Sequence, residues 1–210
     1  MGHTTEMNDE ELLERYVATF PNLSEMLAHE TVFPVAWQLA VGDDDQYGYK
    51  RWRPIKADTS PATLEDIYAR LPARFPRLFE LMVLSYRWAE VDLVSYSLLA
   101  NPPSSDLTGF IQQITQSPAF SEALLPAGFI QFGRGPDMDF DPVCFDIKGR
   151  KQGGDCRIVK IDHEEILCNS RVKVVAELAP SLYQLVLQTI DRASKVPPTR
   201  AGLTIPPLSR

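Results

Sequence analysis

Residues 128–163 read Gly-Phe-Ile-Gln-Phe-Gly, an acidic turn, Asp-Pro-Val-Cys-Phe-Asp-Ile, a glycine-rich turn, and Arg-Ile-Val-Lys-Ile-Asp-His. Short apolar runs that alternate with Gly/Asp/Pro clusters predict neighbouring antiparallel strands. The connections between them are too short for the crossover that a parallel pair requires. The reactive-looking side chains of the chain, Asp137, Asp139, Asp141, Asp146, Asp162 and His163, all fall in these turns and strand ends.

Helical signals flank this block. Asn8 precedes Asp9, Glu10 and Glu11, a capping residue followed by carboxylates suited to the positive end of a helix dipole. Leu12, Leu13, Tyr16, Val17 and Phe20 then mark one apolar face, and Pro21 closes it. A second short helix is expected through Ala28. Further helices are predicted over 60–71, 76–87, 106–115 and 118–125, with strands at 91–99 and 172–176. A last helix is predicted after Pro180, where Leu182, Leu185, Val186 and Ile190 repeat at helical spacing. Helices on either side of a consecutive set of strands make an α+β fold, helices packed on a central antiparallel sheet. The expected organisation is a helical arm over 1–59, an α+β body over 60–194 and a proline-rich extended tail over 195–210.

Charge narrows the partners. With a net charge of −7 and a pI near 5.0, the chain lacks the clustered Lys and Arg that neutralise phosphates, so direct nucleic-acid binding is not expected. Residues 1–30 carry seven acids against one base, Arg15. No apolar run reaches membrane-spanning length and no secretory leader is visible, so a cytoplasmic location is expected. Cys144, Cys156 and Cys168 lie at equal gaps of twelve residues. This is neither metal-knuckle spacing nor an even disulfide set, so they read as reduced thiols.

Two clusters are candidates for chemistry. Asp137, Asp139 and Asp141 alternate, which in an extended backbone places them on one face, where they could converge on a hard cation. Counted as an EF-hand loop from Asp137, the run has Pro142 where the turn glycine belongs and Lys148 where the bidentate Glu belongs, so it is not one. The simpler reading is a solvated acidic turn. Asp162-His163-Glu164-Glu165 places an internal histidine among acids at a strand end. No Gly-x-Ser-x-Gly elbow, His-Glu-x-x-His pair or phosphate loop accompanies it. Trp88, after an apolar helix, reads as core.

The order of these features resembles the SUKH superfamily, named partly for a yeast cell-wall regulator and widespread in bacteria. The resemblance runs through Leu64-Glu65 and Leu71-Pro72 into a second helix, then Phe129-Ile130-Gln131-Phe132-Gly133, Val143-Cys144-Phe145-Asp146, Ile158-Val159-Lys160-Ile161 with Asp162-His163-Glu164, and the closing Ser181-Leu182-Tyr183-Gln184-Leu185-Val186. It implies an α+β domain on a curved antiparallel sheet that acts as a protein-binding module, with no enzymatic activity and no cofactor. Its most specific form is an immunity protein that neutralises a cognate toxin, possibly a basic nuclease. The expected contacts are Asp137, Asp139, Phe140, Asp141, Asp162 and His163. Two alternatives stand beside it. One is a metal-dependent hydrolase built on Asp137, Asp139, Asp141 and His163, and the other is a regulatory or structural interaction subunit.

Overall fold

The computed structural model describes residues 7–104, 106–115, 117–150 and 154–196. Helix α1 (Asp9–Ala18) starts at Asn8, whose Oδ1 accepts the Glu11 N–H at 2.8 Å. Its apolar face, Leu12, Leu13, Tyr16 and Val17, is buried against later helices. Pro21 sits at the start of a one-turn helix, α2 (Phe20–Leu23). The short helix expected through Ala28 gives way to strand β1 (Leu27–Ala28), because Met26 takes a left-handed φ of 50° and turns the chain. After α3 (Pro34–Trp37), β2 (Ala40–Val41) and β3 (Lys50–Trp52) complete a small antiparallel sheet in the order β1-β3-β2. Strand β4 (Ile55–Lys56) follows.

The helix predicted over 60–71 forms as α4 (Ala62–Tyr68), and the very apolar segment after Pro76 forms α5 (Arg77–Ser85). That segment does not run to Arg87 as a helix. Tyr86–Arg87 is β5, paired with β4. The switch is set by Arg87 itself and by the more distant Asn101. The Arg87 guanidinium folds back onto the carbonyls of Val83 and Tyr86 (2.8 and 2.9 Å), and Asn101 Nδ2 donates to the same two (3.0 and 2.8 Å). Together they satisfy the end of the helix.

The segment expected as one strand over 91–99 is a hairpin, β6 (Val91–Asp92) and β7 (Ser97–Leu98). Its tip is a tight turn in which Ser95 N–H donates to Leu93 O around Val94, whose φ is 70°. Helices α6 (Thr108–Thr115) and α7 (Pro118–Leu124) lead to the three strands read from the sequence, β8 (Phe129–Arg134), β9 (Pro142–Asp146) and β10 (Ile158–Ile161). The glycine-rich connection before β10 falls partly on residues 151–153, outside the described residues. Helix α8 (His163–Asn169), strand β11 (Val174–Ala179) and helix α9 (Leu182–Lys195) finish the described chain. The tail over 197–210 also lies outside the described residues.

Strands β6 to β11 form one six-stranded sheet in sequence order, every neighbour antiparallel. The fold is therefore α+β, with helices against an antiparallel sheet. Both faces of β9 are covered: Val143 and Phe145 join the main core, and Cys144 joins a second cluster with Leu124, Val159, Ile161 and Ile166. Helices α1, α5, α6 and α9 supply the main core, and α7 and α8 close the second face. Phe79 touches Phe75, Phe110, Phe132 and Phe145 at ring separations of 5.0–6.0 Å, and Phe132 stacks on Phe145 at 4.2 Å. Trp88 is fully buried, with Nε1 donating to Leu99 O at 2.8 Å. The Tyr16 and Tyr96 hydroxyls hydrogen-bond at 2.5 Å inside this core, and burial pushes both phenols up in pKa.

Candidate interaction site

The connection from β8 to β9 occupies residues 135–141 and closes on itself. Gly135 N–H donates to Asp141 O at 2.9 Å and Asp139 N–H to Pro136 O at 3.1 Å, while Asp139 Oδ1 accepts the Asp141 N–H at 3.0 Å. Asp137 takes a left-handed φ of 55°, and its carbonyl accepts from Arg134 Nη1 at 2.9 Å. Gly135 is required by space: a Cβ there would overlap the Asp139 side chain. The turn is thus fixed by its own short-range bonds, with Asp carboxylate and backbone groups closing it as turn-forming residues do.

Antiparallel pairing of β9 with β10 then brings the start of α8 under this turn. Asp141 Oδ1 accepts both the backbone N–H of His163 (2.9 Å) and its Nδ1 (2.7 Å). Lys160 Nζ lies 2.9 Å from Asp139 Oδ2 and 3.6 Å from Asp141 Oδ2. Burial works against the Asp139 carboxylate, but the Lys160 ammonium and the Asp141 N–H outweigh it and hold its pKa below the usual range. The same contact with Asp139 raises Lys160. Lys160 was not legible as a site residue. Its one signal is a lone cation inside an otherwise apolar strand.

Of the six residues expected at this site, the structure gathers Asp139, Phe140, Asp141 and His163. The Phe140 and His163 rings meet edge to face at 6.1 Å. Asp162 faces other partners: its Oδ1 caps α8 by accepting the Glu165 N–H at 3.1 Å, and its Oδ2 pairs with Lys173 at 3.2 Å. Asp137 contributes its carbonyl to the turn, and its side chain is exposed. Two further residues shape the site. Arg134 ties the turn to Glu90, with Nε 2.8 Å from Oε1. Met138, at the tip, is 79% exposed, and Phe140 beside it is 50% exposed. An apolar residue in a run of aspartates was the available clue to Met138.

Chemically, the two cluster carboxylates are committed to an ammonium, an imidazole and backbone N–H groups. Among the described residues no group of three or more His, Cys, Asp or Glu side chains is placed to hold a metal ion. Among the described residues His163 is hydrogen-bonded by Asp141 and by no hydroxyl or thiol. What the geometry does provide is a braced turn carrying two solvent-facing apolar side chains beside exposed negative charge. Among the described residues no helix is long and apolar enough to cross a membrane. Comparison with protein-family models, with curated proteins and with solved structures finds no match.

Proposed function

We propose that this chain is a non-catalytic protein-binding domain of the immunity type, which binds and neutralises a toxin in the cytoplasm. The observation that carries this reading is the pair Met138 and Phe140, held in water at the tip of a turn braced by the internally paired Asp139 and Asp141 carboxylates. Leaving two large apolar side chains exposed has a solvation cost that burial under a partner recovers. Aromatic anchors surrounded by polar groups are the usual centre of binding energy in an interface. The net charge of −7 suits a basic partner such as a nuclease, since opposite charge speeds encounter. Three free thiols, two of them buried, fit a reducing compartment.

The test is co-expression with the product of any neighbouring gene that is toxic when expressed alone. The wild-type chain restores growth and co-purifies with the toxin, and the double variant Met138→Ala/Phe140→Ala, still folded, does neither. Growth restored equally by the double variant would refute the turn as the binding site. Lack of any rescue by the wild-type chain would refute the immunity reading.

A further inference from the structure

A groove of about 570 Å³ opens between the small N-terminal sheet and the β6 end of the six-stranded sheet. Buried Trp52 lines its small-sheet wall, and Val32 and Phe33 line it while remaining 53% and 46% exposed. Met26, also in the lining, is a buried non-glycine residue at a φ of 50°. Such backbone persists only where the surroundings hold it, and it concentrates at binding sites. β6 is the terminal strand of its sheet, so its outer edge has no strand partner among the described residues.

The charge in the lining is one-sided. Glu25, Glu90 and Asp92 are acidic, and Arg134, the one base among the lining residues, is already engaged by Glu90. Neither the Glu25 nor the Asp92 carboxylate forms an ion pair among the described residues: Arg51 Nη1 donates to the Glu25 backbone carbonyl at 2.6 Å, and Asp92 Oδ1 accepts from the Ser97 hydroxyl. A second copy of this acidic chain would bring like charge to the rim, whereas a basic segment would not. Arg134 also donates to the carbonyls of Gly135 and Asp137, so the groove and the Met138–Phe140 turn share one guanidinium.

We propose that this groove receives an extended segment of the protein partner, with an aliphatic side chain flanked by Lys or Arg. The aliphatic group would meet Phe33 and Val32, the cations would meet Glu25 and Asp92, and the backbone would run along the β6 edge. The inference rests on reading the chain as a protein-binding domain and gives that partner a chemistry.

The experiment pans phage-displayed random dodecapeptides against the immobilised full chain. The enriched peptide is then synthesised, labelled with fluorescein and titrated by polarisation. Enriched sequences are expected to carry Leu, Ile or Val beside Lys or Arg. Phe33→Ser, and separately Glu25→Gln/Asp92→Asn, should each weaken binding by about tenfold, and the effect of the charge variant should shrink as salt rises from about 50 to about 300 mM. Leu167→Ala, an exposed apolar position on α8 outside both the groove and the turn, should leave peptide binding unchanged, which separates the groove from general stickiness. No enrichment, enrichment of acidic peptides, or binding indifferent to the groove variants would overturn the proposal. So would a dimer of the chain that Phe33→Ser dissociates. If the toxin still binds through the turn in any of those cases, the groove alone is refuted and the protein-binding reading stands.

Discussion

Replacing Asp141 tests whether its carboxylate is the strut that holds the exposed turn to the body. Its Oδ1 accepts two hydrogen bonds from His163, through the backbone N–H at 2.9 Å and Nδ1 at 2.7 Å, and Lys160 lies 3.6 Å from Oδ2. A hydrogen bond to a charged group is worth about 1.5–3 kcal/mol, and the low end applies because both partners are partly exposed. Truncation in Asp141→Ala leaves the first N–H of α8 without its acceptor and frees the imidazole to water. The expected loss is about 2–3 kcal/mol. Asp141→Asn keeps one neutral oxygen for the N–H and gives up the charge, so it should lose about 1 kcal/mol. Urea unfolding followed by circular dichroism reads this directly. With an m-value of about 2–3 kcal/mol/M, the alanine variant should shift its midpoint down by about 1 M. Phe140→Ala, at an exposed position, should stay within about 0.5 kcal/mol of the wild type. An alanine variant as stable as the wild type, or an asparagine variant as damaged as alanine, would refute the strut.

Three further outcomes follow from the same geometry. Gly135→Ala forces a Cβ into the space of Asp139 and should cost about 1–3 kcal/mol by overpacking, read by urea unfolding; a neutral effect would mean the turn can relax elsewhere. The lowered pKa of Asp139 means its pairing with Lys160 contributes above the ordinary carboxylate value near about 4 and is lost as pH falls through the folded value. The stability gap between wild type and Asp139→Asn should therefore be equal at pH 7 and pH 5 and narrower near pH 3, and a gap that closes between 7 and 5 would contradict the assignment. Iodoacetamide at about pH 8 should label Cys168 in the native chain and spare Cys144 and Cys156, since burial raises the Cys144 thiol and pushes Cys156 up to about 11. Mass spectrometry showing native labelling of Cys144 would mean the second-face cluster opens readily.

What the chain disclosed beforehand tracks how local each signal is. Strands β8, β9 and β10 were legible because Gly, Asp and Pro punctuate them, and α1 because Asn8 and the acids after it are a local start signal. The β6–β7 hairpin looks like one strand in the sequence because its turn carries Val94 where glycine or asparagine would ordinarily announce a reversal. The end of α5 is not legible locally because the residues that stop it include Asn101, more than a dozen residues further on. The acids and the histidine of the candidate site could be named one by one. Which of them meet depends on the pairing of β9 with β10, which sets Lys160 and His163 beside a turn some twenty residues earlier. Neighbours in sequence part company there: Asp162 caps α8, and His163 turns to Asp141.

Met138 and Phe140 are the proposed anchors by which another protein is held. Isothermal titration of the proposed toxin partner, once purified, into the wild-type chain and into Phe140→Ala measures that directly. Tight one-to-one binding that weakens by at least about 2 kcal/mol in the variant, with its fold intact, is the predicted result. An unchanged affinity in Phe140→Ala would contradict it.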